Sequence, residues 1–424
     1  MPAQGNANVI AIQLEKVRDK IPLLYERDDI LLTMIQKRGD AETVSSRNMR
    51  LPLQLKGGGK PQSVSVDGGD YGRGSGTLYD VAQVTPVFFN ISLEITKLVE
   101  YATNAREKAI ENAVKREVSN GMKQFRAFLD RLMQTNGNGV LGTIASVAGN
   151  VITMNVPNGA SLVDYDYPIE VWNAALTVKR GTCNVLAFDA IYAKSITVDA
   201  LPGGTIATDV IVHQNAVTVG SLFGIKYHQS NATTGTWLGL NRPAYPEQLR
   251  TPRVNGGNAA LTPGMVRQAF NFVKLALGVG ALSDGGAGGK PAKLVGYVNV
   301  QQSHAWENTG IVVSQVIKEG GGGRAQDIDM LFSGQKTMGG VPLKEGIHAD
   351  QTRVEFLDLS HWGRAVMKDI DYVDFGGDTI WPIYGASGAP SATMWFAYET
   401  GFQVWDDSPR SGAFIDTLAL PPGY

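Results

Sequence analysis

Cysteine is almost absent: Cys183 is the single one in 424 residues. An intramolecular disulfide framework is therefore excluded, and the lone thiol fits a reducing compartment as a buried, small apolar residue. Charge of either sign is also scarce, at 18% of the chain, with 38 Lys and Arg against 40 Asp and Glu for a formal net charge of -2. Sequence-specific DNA readers carry a basic footprint that is missing here, although a container whose inner wall merely tolerates nucleic acid needs none. No apolar run approaches the length of a membrane span, and Met1 to Ile12 is polar and contains glycine, unlike a secretory signal. The expectation is a soluble chain without a membrane partner, assembled in a cytoplasm. Histidine is rare as well. His213, His228, His304, His348 and His361 include no pair at metal-ligand spacing, so each is expected on the surface or hydrogen-bonded in a core.

What the chain has in excess is glycine, 50 residues without the triplet period of collagen, which marks loops, turns and arms. The apolar fraction of 43% is that of a globular protein, and the length favours two or three domains. The order of parts is informative. Pro22 to Arg38 reads as a short amphipathic helix, with Pro at its first position, Gly39 beyond its end and an apolar stripe of Leu23, Leu24, Ile30, Leu31, Met34 and Ile35. Arg47 to Val84 follows as an extended, glycine-rich excursion. Met49, Leu51, Leu53 and Leu55 alternate, Lys56-Gly57-Gly58-Gly59-Lys60-Pro61 reads as the turn, and Val64 and Val66 read as the return strand of a hairpin. Half of that length at about 3.3 Å per residue reaches roughly 60 Å, too far to stay folded against its own domain. Such an arm is expected to find its partners on another copy.

Pro86 to Thr96 alternates as a strand. The clearest helix runs from Asn104, a candidate cap with Glu107 as its capping-box partner, through Val114, Val118, Met122, Phe125, Leu129 and Leu132 to the Asn136-Gly137 stop. At 1.5 Å per residue it is a rod of roughly 45 Å. From Gly137 to about Val219 short β-rich runs such as Val151 to Val156 and Thr208 to His213, divided by Pro-Asn-Gly and Pro-Gly-Gly turns, read as an inserted small all-β barrel or sandwich. Thr262-Pro263 opens a helix to about Leu277 with Val266, Phe270, Val273 and Leu277 on one side. From Val341 the chain is mostly β, ending in a long strand over Ala392 to Trp405.

In this order the segments resemble the major capsid proteins of tailed bacteriophages, with the Hong Kong 97-like shell fold. Met49 to Gly76 matches the extended loop and Asn104 to Thr135 the spine helix, and Leu238-Gly239-Leu240-Asn241-Arg242, Val295 to Trp306 and Met394 to Pro409 also look like capsid sequence. The likeness is one of topology and texture over most of the chain. It implies an α+β capsid fold made of residues 1–46 as N-terminal arm, 47–84 as extended loop, 85–136 as peripheral domain with the spine helix, 137–219 as inserted barrel-like domain, 220–340 as central (axial) domain and 341–424 as a C-terminal β return. It also implies a structural, non-enzymatic subunit of an icosahedral virion that encloses double-stranded DNA without sequence specificity. The implied partners are other copies in pentamers and hexamers, a portal protein at one vertex and a scaffolding protein, with a decoration protein left open. Some shells of this kind carry a fused scaffold ahead of the capsid domain. Only some 46 residues precede the hairpin here, so a separate scaffolding protein is expected, with the Leu23 to Ile35 stripe packing on a neighbour.

Motifs of chemistry fall short. Lys290 follows Gly288-Gly289, but Asp284 and Pro291 break a phosphate loop. Gly385-Ala386-Ser387-Gly388-Ala389 is one residue short of a nucleophile elbow and reads as a turn before the last strand. Asp327 with Asp329, Asp369 with Asp371, and Asp406 with Asp407 fit no calcium loop and read as solvated turns. No catalytic residue, cofactor or metal is therefore expected. The residues expected to matter are Lys56, Gly57, Gly58, Gly59 and Lys60 at the loop tip, Val114, Val118, Phe125 and Leu129 in the spine core, and Leu23, Leu24, Leu31 and Ile35 in the arm. Lys56 and Lys60 are read as charges that discourage aggregation and touch an acidic neighbour; some related shells join a loop lysine to a neighbour's asparagine, for which no partner motif is present. Two other readings remain: an encapsulin-type compartment, and a β-rich hydrolase or carbohydrate-binding protein whose Trp362, Trp381, Trp395 and Trp405 would line a cleft.

Overall fold

The computed structural model describes residues 29–38, 40–44, 46–70, 72–96, 111–155, 159–188, 194–282, 292–307, 337–374, 381–384 and 388–421. They form two compact units, one containing Asp29, Phe88–Leu129 and Met367–Phe402, the other Ile30–Val87, Asp130–Val366 and the chain from Gln403 onward.

The first unit is a helix on a sheet. Its helix, Glu111–Leu132, carries apolar residues three and four apart, and Phe125 and Leu129 are fully buried. Phe128 stacks on Phe125 at 6.4 Å and meets Phe89 edge-on at 6.2 Å. Phe89 comes from the strand Val87–Thr96, which draws close because Gly121 has no side chain: a Cβ there would lie 2.1 Å from Leu93 Cδ1. Val87–Thr96 pairs with the long strand Pro390–Asp406, which is flanked by Trp381–Tyr384 and Trp362–Tyr372. A turn follows the helix at Leu132, so the described rod is shorter than the one expected to Thr135. The expected cap Asn104 and its partner Glu107 lie outside the described residues, as do the side chains of Val114 and Val118.

Among the described residues the second unit holds a barrel, a mixed sheet and two short two-stranded ladders. A six-stranded closed barrel is built from Val140–Ala148, Val151–Met154, Pro168–Trp172, Lys179–Phe188, Ser195–Val198 and Val210–His213. Alternation along its strands points Ile152, Met154, Cys183, Val185, Ile196 and Val198 inward. Burial pushes the Cys183 thiol up to about 12, so the one cysteine is an inert barrel-core residue. A mixed sheet runs in the order Arg253–Asn255, Ala413–Asp416, Val354–Asp358, Leu294–Asn299, Val341–Gly346, Thr337–Met338. The helix Pro263–Leu277 lies on it. Thr262 caps this helix by accepting the Met265 N–H at 3.4 Å, Pro263 opens it, and Val266, Ala269 and Val273 enter the core with Val298, Phe356 and Ile415. The ladders, one of them the extended hairpin, are described below.

The first described helix departs from expectation. It spans Ile30–Arg38 with Asp29 outside it, so Pro22 is not its first residue, and Leu23 and Leu24 lie outside the described residues. Leu31 and Ile35 are fully buried within the chain itself, on a helix that packs against Val341–Gly346 and whose Leu32 N–H donates to Asp130 Oδ1 at 2.8 Å. These two residues therefore need no neighbour to cover them.

The barrel's first and last strands pair side by side, Val210 opposite Thr143 and Val212 opposite Val140. Residues 140–213 can thus be replaced by a short Gly-Ser linker without stretching the ends. The expected product is a soluble protein that keeps the rest of its native circular dichroism; global unfolding on excision would show that the barrel is part of the main core.

Candidate assembly interface

The extended loop is a two-stranded ladder with a long open end. Met49–Lys56 pairs antiparallel with Leu78–Val84, Met49 opposite Val84 and Lys56 opposite Leu78. The return strand is therefore not Val64 to Val66, which lie in the loop of residues 57–77. Nor is Lys56 to Lys60 the tip. Gly58 and Gly59 sit in the neck, where Gly59 N–H donates to Ser75 O at 2.8 Å, Gly59 has φ +98°, and a Cβ on Gly58 would lie 2.9 Å from Ser75 O. Close approach of the two segments requires glycine at position 58, and the positive φ favours it at 59; neither residue is in the distal turn. The distal turn is Ser65 to Gly69, closed by Gly69 N–H donating to Ser65 O at 3.1 Å, and Val66 stands at its end wholly exposed.

The two faces of the ladder differ. Met49, Leu53, Leu55, Ala82 and Val84 are buried in a cluster with Trp237, Leu238, Leu240, Leu249 and Trp405. The base of the hairpin is therefore folded against its own unit, contrary to the reach estimated from its length; period-2 alternation gave it a face to bury. The opposite face exposes Tyr79 and Val81 beside Pro52 and Gln54. Lys56, Lys60, Asp67, Asp70 and Arg73 are exposed around the loop.

The support beneath the hairpin was visible in sequence only as Leu238-Gly239-Leu240-Asn241-Arg242. Leu238 and Gly239 take positive φ values of 46° and 83° in a tight turn between Thr236–Trp237 and Leu240–Asn241. Gln83 N–H donates to Leu238 O at 2.8 Å, and Tyr245 Oη donates to Asp80 Oδ2 at 2.9 Å. Arg242, 4% exposed, donates to the carbonyls of Leu249 at 2.9 Å, Ala232 at 3.2 Å and Tyr227 at 3.3 Å. Its charge is spent on backbone, which fixes the platform rather than performing chemistry.

The titratable side chains behave as core. His213, His228 and His348 are buried, and burial holds them neutral with values near 4, 3 and 3. His304 is exposed, whereas His361 bonds Asp407 at 2.5 Å. Asp406 is not in a solvated turn as expected: it is fully buried, and burial with Asp407 and Asp358 nearby pushes its carboxyl up to about 8. Burial likewise takes Glu355 to about 7 against the pull of Arg353. The three histidines, depressed from about 6.5, supply stability above that pH which is lost as pH falls toward 3. Asp406 and Glu355, raised, supply stability at low pH that is lost as pH rises through 7 to 8. Thermal melting across pH 4 to 10 is expected to peak between these limbs, and Asp406→Asn to flatten the alkaline one. An unchanged alkaline limb in that variant would contradict this assignment.

Among the described residues no group of three or more His, Cys, Asp or Glu is arranged to hold a metal ion. Lys290, Ser387, Asp327 and Asp329 lie outside them. Trp362 and Trp405 are core, at 1% and 2% exposure, and offer no platform for a sugar. No described helix is long and apolar enough to cross a membrane.

No protein-family model matches the chain. No curated protein matches it either. Among solved structures it is similar to a chain of the cyanophage A-1(L) capsid asymmetric unit, at 13% identity and TM-score 0.58, over 98% of this chain and 99% of that one. Matches to the capsid of a native GTA particle (8% identity, TM-score 0.46, 98% and 99% covered) and to the holo-SrpI encapsulin complex of Synechococcus elongatus PCC 7942 (8%, 0.45, 97% and 95%) are weaker and carry no weight. The cyanophage match extends over both compact units. The chain has the α+β fold of a phage capsid subunit.

Proposed function

We propose that the protein is the major capsid subunit of a tailed phage, a structural protein that assembles with itself into pentamers and hexamers of an icosahedral shell around double-stranded DNA. The single observation that carries this reading is the end-to-end likeness to the cyanophage capsid chain, 98% of one against 99% of the other. Support comes from the hairpin, whose inner face is anchored and whose loop of residues 57–77 reaches into solvent with Val66 at its end. A shell of one repeated chain needs heterologous contacts that tolerate slightly different angles, and a glycine-rich loop on a rigid base supplies them. The near-neutral net charge of -2 suits a wall that contains DNA without binding it tightly.

The test is nuclease treatment of particles purified from lysate in which the protein is made with its phage. Double-stranded DNA that survives nuclease and is released by heating supports the reading. Particles that hold protein cargo and no DNA would assign the shell to a compartment instead.

A further inference from the structure

In an Asn-Gly pair the asparagine side chain reaches the next backbone nitrogen with least hindrance, because glycine places no side chain in the way. The chain has five such pairs: Asn120-Gly121, Asn136-Gly137, Asn138-Gly139, Asn158-Gly159 and Asn255-Gly256. Asn158 lies outside the described residues. The fold treats the other four differently.

Three of them are held. Gly121 lies inside the helix Glu111–Leu132, where each backbone N–H is committed to the carbonyl four residues back, and Asn120 is half-buried. Gly256 N–H donates to Asp416 O at 2.8 Å, while Asn255 Oδ1 accepts the Gly257 N–H at 3.0 Å. Asn138 is half-buried, and its Oδ1 accepts the Val140 N–H at 3.2 Å. Asn136 is exposed, just past the turn that ends the helix. Among the described residues neither its side chain nor the Gly137 N–H has a hydrogen-bond partner. Glycine is also fixed at 137, by φ +77° and by Phe223, whose Cδ1 would lie 2.7 Å from a Cβ, so a bulkier residue that slows the reaction does not fit there.

We propose that Asn136 is a site of spontaneous deamidation, selected by the fold from among the described Asn-Gly pairs. Gly137 N, having lost its proton to solvent base, attacks Asn136 Cγ. The new C–N bond closes a five-membered imide, the Cγ–Nδ2 bond breaks, and the side-chain nitrogen takes up protons and leaves as ammonia. Water then opens the imide. Cleavage at Cγ gives aspartate, and cleavage at the backbone carbonyl gives isoaspartate, in which the main chain runs through Cγ. No oxidant or reductant is consumed. Either product adds one negative charge, taking the formal net charge of the chain from -2 to -3. In a shell of repeated copies this charge accumulates with age; that consequence rests on the proposed function, whereas the chemistry does not.

The test holds native full-length protein and protein unfolded in guanidinium chloride side by side at mildly alkaline pH. Peptide mapping by mass spectrometry follows amide-to-acid conversion at each asparagine. Unfolding makes the pairs equivalent, so the ratio of native to unfolded rate isolates what the fold does. The ratio at Asn136 is expected to lie within about threefold of unity, and those at Asn120, Asn138 and Asn255 below about one tenth, since their hydrogen bonds must open first. Asn136→Gln, whose imide ring would be six-membered, is expected to abolish conversion at 136 and leave the other three ratios unchanged. A ratio at Asn136 no higher than theirs, or one at Asn138 or Asn255 equal to it, overturns the proposal whether or not the chain forms shells.

Discussion

Replacing residues 60–74 by an Asn-Gly turn is expected to leave a folded, soluble subunit that forms no closed shells. The neck is already closed by the Gly59 to Ser75 hydrogen bond, and the buried residues of the hairpin, Met49 to Leu55 and Ala82 to Val84, all lie outside the deletion. The described residues of the removed segment are exposed or half-buried, and they include Val66, wholly exposed at the distal turn. Melting should therefore shift by no more than about 4 °C, the effect of roughly 1 kcal/mol. Assembly should fall far more, because heterologous contacts recur around every capsomer and a small loss at each is multiplied through the shell. Gradient sedimentation with electron microscopy reads the outcome. Shells at the parent yield would mean that the loop is not an intersubunit clamp.

Phe125→Asp is expected to give insoluble or unfolded protein. Phe125 is fully buried and stacks on Phe128. An unpaired charge there costs several kcal/mol, against total stabilities of about 5–15 kcal/mol. Lys123→Asp, on the exposed face of the same helix, should stay within about 0.5 kcal/mol of the parent. Solubility and urea unfolding of the two variants side by side separate a buried face from a general dislike of acidic residues in the helix. Normal melting of Phe125→Asp would place the buried face elsewhere.

Local signals carried much of the fold. Thr262-Pro263 opened a helix that ends at Leu277, because a cap, a first-turn proline and a 3.6-residue stripe all agree. Short strands between glycine turns located a β insertion, and the structure closes it into a barrel. The β-rich, aromatic last third pointed to a long strand over Ala392 to Trp405, and the structure has it over Pro390–Asp406. Failures came where partners are distant in sequence. The hairpin's return strand was placed at Val64 to Val66 because Gly57 to Gly59 look like a turn, whereas pairing with Leu78–Val84 places those glycines in the neck. Burial of Leu31 and Ile35 could not be assigned to the subunit itself, since Val341–Gly346 lies some three hundred residues away. The support under the hairpin was visible only as a capsid-like run: Arg242 had no role until the fold brings its three carbonyl acceptors around it. The buried Asp406 and the unbonded Gly137 N–H are of this kind too, because pairing and burial are properties of the assembled fold.

Shell formation is tested most directly by electron microscopy of the purified chain at tens of micromolar. Rings, tubes or closed shells built from repeated copies are the expected result, with or without added scaffolding protein. A homogeneous monomer that stays monomeric across concentration, ionic strength and co-expression with a scaffolding partner would contradict the proposed role.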